Sequence, residues 1–226
     1  MSSVQVQGNA SGTGVLTIAA PNTNSNYTIT LPAATTTLTG TDATQTLTNK
    51  TLTSPTITGA VVSSMASSVI TSGTAVASTS GTSITFSSIP SWVKRITIIL
   101  VGVSTSGTSP PQIQIGAGSV TTTGYLGSSS VLGTSGAASA NFTTGFGIGV
   151  NTAQWTAAQV GHGAFTLTNF GSNTWVCTGN FGMSTTAANF FTGGSLALGG
   201  TLDRVVITTL NGTDTFDAGS INILYE

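Results

Sequence analysis

Apolar and polar positions alternate along much of this chain. Thr82-Ser83-Ile84-Thr85-Phe86 and Ile96-Thr97-Ile98-Ile99-Leu100 set branched or aromatic residues against Thr and Ser. Such alternation is the signature of a half-buried strand. From residue 74 onward it predicts strands at 82–87, 93–103, 112–116, 141–150, 163–169, 174–183, 203–210 and 219–225. Gly- and Ser-rich segments, among them Gly127-Ser128-Ser129-Ser130 and Gly193-Gly194, read as the turns between them. No long helical periodicity interrupts the series, which argues against a parallel α/β sheet. An all-β fold is expected, with a jelly-roll-like antiparallel β-sandwich over 74–226.

The first 73 residues read differently. Within 1–40, short alternating segments (Val4–Gln7, Val15–Ile18, Tyr27–Leu31) are separated by Gly8-Asn9 and Pro21-Asn22-Thr23-Asn24. Roughly 40 residues rarely bury enough surface to stand alone, so this β anchor needs neighbours. Residues 41–73 form a stem. In it, Thr46-Leu47-Thr48-Asn49-Lys50, Thr51-Leu52-Thr53-Ser54-Pro55 and Thr56-Ile57-Thr58-Gly59-Ala60 repeat with a period of five. Five is odd and a strand's side chains alternate with period two, so one straight strand sends Leu47 and Leu52 to opposite faces. Either the chain bends at each repeat, or several chains wrap one another and bury Leu47, Leu52 and Ile57 between them. Three repeats are too few for a self-contained solenoid, and the intermolecular arrangement is preferred. Val62, Met65, Ala66, Val69 and Ile70 then follow helical spacing with Ser63, Ser64, Ser67 and Ser68 opposite. This stripe predicts a short helix stopped at Gly73, which packs best against copies of itself.

Composition narrows the chemistry. Only 4% of the residues are charged, against roughly 25% in an ordinary soluble domain. Ser and Thr fill about a third of the chain and Gly adds 29 residues. The cations are Lys50, Lys94, Arg95 and Arg204. Four scattered cations do not make the basic surface that phosphate neutralisation needs, so no nucleic-acid partner is expected. The apolar run Ile96–Val103 is broken at Thr97 and Gly102 and falls well short of the ~18 residues that span a bilayer; no membrane insertion is expected. Met1–Gln5 lacks the basic start and apolar block of a signal peptide, so synthesis and assembly in a cytoplasm are expected. One Cys allows no internal disulfide.

Few residue constellations carry chemistry. His162, between Gly161 and Gly163, has no partner motif such as G-x-S-x-G or H-E-x-x-H and reads as structural or surface. Cys177, in Trp175-Val176-Cys177, reads as a small buried hydrophobe. Asp214 and Asp217 read as turn residues; calcium takes six or more oxygens, and no metal or cofactor is expected. Lys94-Arg95 and Asp203-Arg204 are candidates for pairing across adjacent strands. Tyr125 and Trp155 lie in small, polar segments (Gly124, Ser128–Ser130; Asn151–Thr156). Either both rings fill the core beneath a loop, or they form an exposed tip where a ring face and neutral hydrogen-bonding groups recognise sugar. The second reading makes Tyr125 and Trp155 the expected receptor-binding residues, in contrast to Trp92 and Trp175, which sit beside apolar strand residues.

Several segments resemble a known family. Thr46–Thr58 resembles a repeat common in tail fibres of tailed bacteriophages, and Tyr27-Thr28-Ile29-Thr30-Leu31-Pro32-Ala33-Ala34-Thr35 resembles the short β motif that often precedes it. Ile89-Pro90-Ser91-Trp92-Val93-Lys94-Arg95-Ile96-Thr97 is similar to the start of a C-terminal head domain of phage and prophage fibres. Gly200–Val205 and Asn211–Ile223 are similar to its end. The resemblance implies a homotrimeric virion fibre with a β-sandwich head, in which Leu47, Leu52, Ile57, Val62, Met65 and Val69 form the trimer stem. The expected function is non-catalytic adhesion to a host-surface glycan, with the N-terminal region bound to a phage tail or capsid protein. The alternative is a decoration or head fibre bound to the capsid. An enzyme is not expected: glycan cleavage needs a carboxylate pair, and the five acids are scattered.

Overall fold

The computed structural model describes residues 11–15, 17, 22–26, 51, 53, 70–134, 136–150 and 155–226. Two compact units divide the chain, Met1–Ala60 and Val61–Glu226. In the first, the Ser25 amide donates to Thr23 Oγ1 at 3.1 Å in a local turn, and Val15 is exposed. Most of the anchor strands expected within 1–40 lie outside the described residues. So do Leu47, Leu52 and Ile57 of the pentads and Val62, Met65 and Val69 of the helical stripe.

The second unit is all-β: its described residues form fourteen strands and no helix. β1 (Thr71–Ser72), β2 (Val76–Ala77) and β3 (Ser83–Phe86) lead into the long β4 (Arg95–Thr105). β5 (Pro111–Ala117), β6 (Ser119–Val120), β7 (Leu126–Gly133), β8 (Gly136–Asn141) and β9 (Phe146–Gly147) follow. The chain ends in β10 (Gly161–Gly171), β11 (Thr174–Met183), β12 (Ala188–Ala197), β13 (Arg204–Thr209) and β14 (Phe216–Tyr225). A nine-stranded sheet has the order β1-β14-β4-β10-β11-β12-β7-β8, with β2 also on β14. A five-stranded sheet has the order β3-β13-β5-β6, with β9 also on β5. Every pairing is antiparallel.

Strand alternation explains how the sheets share one core. Ile96, Ile98 and Leu100 of β4, Phe165 and Leu167 of β10, and Trp175, Cys177 and Phe181 of β11 join Ile113 and Ile115 of β5 and Val205 and Ile207 of β13 in one hydrophobic cluster. Each such side chain contributes about 1.5–3 kcal/mol by leaving water, so the inner faces supply the stability. The outer face carries rows of neutral residues: Thr97, Thr166 and Thr178 stand abreast on three neighbouring strands. Thr suits this position because its branched β-carbon fits a pleated surface and its hydroxyl remains solvated.

Three readings of the sequence are corrected. Gly127–Ser130 and Gly193-Gly194 are not turns. They lie inside β7 and β12 and pair with each other, Gly127 with Gly194 and Ser128 with Gly193. A β-carbon on Gly194 would sit 2.6 Å from Leu126 O and 2.6 Å from Phe142 Cζ, and one on Gly127 would sit 2.7 Å from the same ring atom. The two glycines leave a space on the inner face that the Phe142 ring fills. The strand expected over 141–150 is reduced to β9, while Asn141 ends β8. Lastly, the end of the helical stripe is extended: Thr71 and Ser72 pair with Tyr225 and Leu224, and Gly73 donates its amide to Ile223 O at 2.8 Å.

β4 and β10 are the longest described strands. The 11 residues of β4 span about 36 Å at ~3.3 Å each. At its proximal end, Arg95 pairs with Glu226, Asn169 donates to Lys94 O, and the chain comes in through β1. At its distal end, Ser106 donates to Thr215 O. The proximal end exposes Trp92 (54%), tilted against Tyr225 at 5.8 Å, and Phe170 (83%).

Candidate functional site

An open cleft of about 170 Å³ lies beside the segment 142–150. Its apolar side is Pro110, Pro111, Leu210 and Val150; its polar side is Gln112, Asn141, Thr143 and Thr144; Phe142, Ser129 and Gly149 also line it. No charged side chain among the described residues lines it.

A compact knot fixes the apolar side. Asp214 Oδ2 accepts the Ser109 amide at 2.9 Å, and Asp214 Oδ1 accepts Asn211 Nδ2 at 2.8 Å. Asn211 Oδ1 in turn accepts the amides of Thr213 and Asp214, and the Asn211 amide donates to Ser109 Oγ at 2.9 Å. Asn and Asp favour such local turns because their short side chains reach the backbone two or three residues away. Between these anchors, the Leu210 amide donates to Pro110 O at 2.9 Å. Asp214 is thus a turn residue, as expected, and it positions two cleft residues.

The polar side is held from β5 and β7. Gln114 Nε2 donates to Thr144 O at 2.8 Å, and Thr144 Oγ1 donates to Gln112 Oε1 at 3.0 Å. Ser129 Oγ donates to Gly149 O at 2.9 Å. Gln112 is 4% exposed; its Nε2 donates to no acceptor among the described residues and is not sealed from solvent. The side chains of Asn141 and Thr143 also make no hydrogen bond among the described residues, and both are exposed.

Tyr125 and Trp155 correct the expected tip. They are 1% and 0% exposed. Tyr125 Oη donates to Thr121 O at 2.9 Å and accepts the Ile115 amide at 2.8 Å; burial pushes its phenol well above the usual range. Trp155 Nε1 donates to Thr105 Oγ1 at 2.7 Å. Large rings whose polar atoms find partners gain more from burial than from exposure. Both still touch the cleft's framework. Tyr125 meets Phe146 edge-on at 4.9 Å, its amide donates to Thr143 O at 3.3 Å, and Trp155 lies under Gly149.

The remaining candidates are structural. His162 Nδ1 accepts the Gly102 amide at 3.1 Å. Gly102 and Gly219 oppose each other at a bulge between β4 and β14 with φ of 65° and 93°. A β-carbon on Gly219 would lie 2.4 Å from Gly102 O, so the bulge requires glycine. Cys177 is fully buried, and burial pushes its thiol up, away from the thiolate that reacts. The cross-strand pairing expected between Lys94-Arg95 and Asp203-Arg204 is corrected: Arg95 pairs with Glu226, and Arg204 pairs with its neighbour Asp203 at 2.8 Å. No group of three or more metal-ligating side chains occurs among the described residues.

The sequence reading missed Pro110, Gln112, Asn141, Thr143 and Leu210 as a set. Tandem Pro110-Pro111 and the knot residues Asn211-Gly212-Thr213-Asp214 are visible locally, but β5, β8 and the 210–214 turn meet only through the fold. No family model matches this chain, and neither a curated protein nor a solved structure matches it.

Proposed function

We propose that this chain is a homotrimeric virion fibre protein of the tailed-bacteriophage type. Its N-terminal region binds a particle component, and its β head, of jelly-roll type, adheres to a host-surface glycan without cleaving it. The observation that carries this reading is the meeting of the fibre-like segments at one place in the fold. The Ile89 amide donates to Asp203 O at 3.0 Å, Lys94 and Arg95 donate to Glu226 O, and β4 pairs with β14. The head-like segments Ile89–Thr97, Gly200–Val205 and Asn211–Ile223 therefore adjoin within one sandwich, while Tyr27–Thr35 and nearly all of Thr46–Thr58 lie outside the described residues. Beside them Trp92 and Phe170 are exposed at the end where the chain joins the head, which suits coverage by neighbouring copies around a stem. The neutral outer face and the neutral cleft suit a carbohydrate surface.

The test combines mass and adhesion. Light scattering on the intact chain is expected to give three times the 22.4 kDa chain mass, and labelled chain is expected to decorate cells of a susceptible bacterium. A monomer at micromolar concentration, or decoration that survives enzymatic removal of surface polysaccharide, overturns the reading.

A further inference from the structure

The geometry points to the cleft between Pro110, Leu210 and Asn141 as the sugar subsite, taking a single neutral hexopyranose ring; this rests on the adhesin reading above and names where and what the head binds. Size is the first constraint. About 170 Å³ in an open cleft suits a compact group such as one six-membered ring. Charge is the second. No charged side chain among the described residues lines the cleft, and an ionic ligand would lose hydration there with no counter-charge from them to replace it. Hydrogen-bonding capacity is the third. The Gln112 amide has one end tied to Thr144 and in either amide orientation keeps the other end free. A purely apolar ligand covering that end would remove its water and leave it unpaired, which is costly. Asn141 and Thr143 add two exposed groups that both donate and accept. Leu210, 55% exposed, offers aliphatic surface in the same cleft, while Pro110 lines it as a buried residue. A pyranose matches this division: its C–H face is apolar and its rim carries neutral hydroxyls. The site is also pre-formed, because the Asp214 knot fixes Pro110 and Leu210 and the Gln114–Thr144–Gln112 chain fixes the other wall.

The test uses the intact chain and defined probes. Methyl glycosides of glucose, galactose, mannose and N-acetylglucosamine are screened by saturation-transfer NMR, with N-acetylneuraminic acid as the anionic comparator. At least one neutral glycoside is expected to bind in the millimolar range and N-acetylneuraminic acid is expected not to. Asn141→Ala and Thr143→Ala, both exposed, are each expected to weaken that binding fivefold or more with an unchanged melting midpoint. Asn180→Ala, exposed on the outer face of the nine-stranded sheet, is expected to leave it unchanged. Binding of none of the four glycosides, binding of the anionic sugar alone, or neutral binding indifferent to both cleft variants overturns the assignment. Cell adhesion measured on the same variants separates the two readings: adhesion that persists in both cleft variants removes the subsite and leaves the adhesin, whereas wild-type chain that adheres to no cell removes the adhesin.

Discussion

At the scale of residues, the local sequence does not decide where the large rings sit. Tyr125 and Trp155 stand in small, polar stretches that look like exposed loop in sequence, yet each finds a buried hydrogen-bond partner and moves inside. Trp92 shows the converse, exposed although apolar residues follow it. We expect Trp155→Ala to cost about 3–5 kcal/mol, the range for deleting a core aromatic. That lowers the melting midpoint by several degrees at ~2–4 °C per kcal/mol. Tyr125→Phe keeps the ring and strands the Ile115 amide, which costs about 1–3 kcal/mol; calorimetry on the two variants checks both. A smaller, pH-linked effect belongs to Asp203. The Arg204 guanidinium holds its carboxylate below the ordinary range, helped by the Gly118 amide. A lowered carboxyl contributes stability above its unfolded value near ~4 and loses it as pH falls through that region. Because the side chain is 37% exposed, solvent screens the pair and the contribution is small. Asp203→Asn is expected to flatten the acid limb of the melting curve between about pH 2 and 5 and to change little at pH 7.

At the scale of elements, the sequence displayed strands wherever large branched residues alternate with Thr. β11 occupies Thr174–Met183, the span that alternation predicts, and β3, β10 and β13 lie within two residues of their predicted bounds. β7 and β12 were hidden because Gly and Ser punctuate most sequences as turns. Here Gly127 and Gly194 lie opposite each other to admit Phe142, a contact set by a residue that is distant in sequence. The fold gives each glycine a separate expectation. Gly194→Ala drives a methyl group into Leu126 O and the Phe142 ring and is expected to cost about 1–3 kcal/mol, as overpacking does. Gly193→Ala has open space and is expected to be neutral or mildly stabilising, since glycine weakens strand interiors. Chemical denaturation of the pair distinguishes a space-filling contact from a general aversion of this strand to side chains.

At the scale of the whole molecule, the all-β class was legible because periodicity survives a composition almost without charge. The candidate site was not, because its walls come from β5, β8 and the 210–214 turn. Assembly follows from the division of the chain. β1 belongs to the head's sheet, so a truncation that tests the stem must begin at residue 70. Such a head is expected to fold and to run as a monomer in light scattering, while the intact chain runs as a trimer; a trimeric head would place the assembly contacts on the sandwich itself. Adhesion is expected to change less than about twofold between low salt and ~0.5 M, since charge steering requires the charges this surface lacks.

The pairing of residues 71–78 along β14 has a mechanical meaning. A force applied between the chain before residue 70 and the distal end of the sandwich pulls this segment parallel to its neighbour. The pairs Thr71–Tyr225, Ser72–Leu224, Val76–Ile221 and Ala77–Ser220 and the bonds from Gly73 and Ser78 then carry the load together, in shear, instead of parting one after another. Ser78, fully buried with its hydroxyl on Ala218 O at 2.8 Å, is the last rivet of that seam, and the load is borne by the length of the splice between two strands.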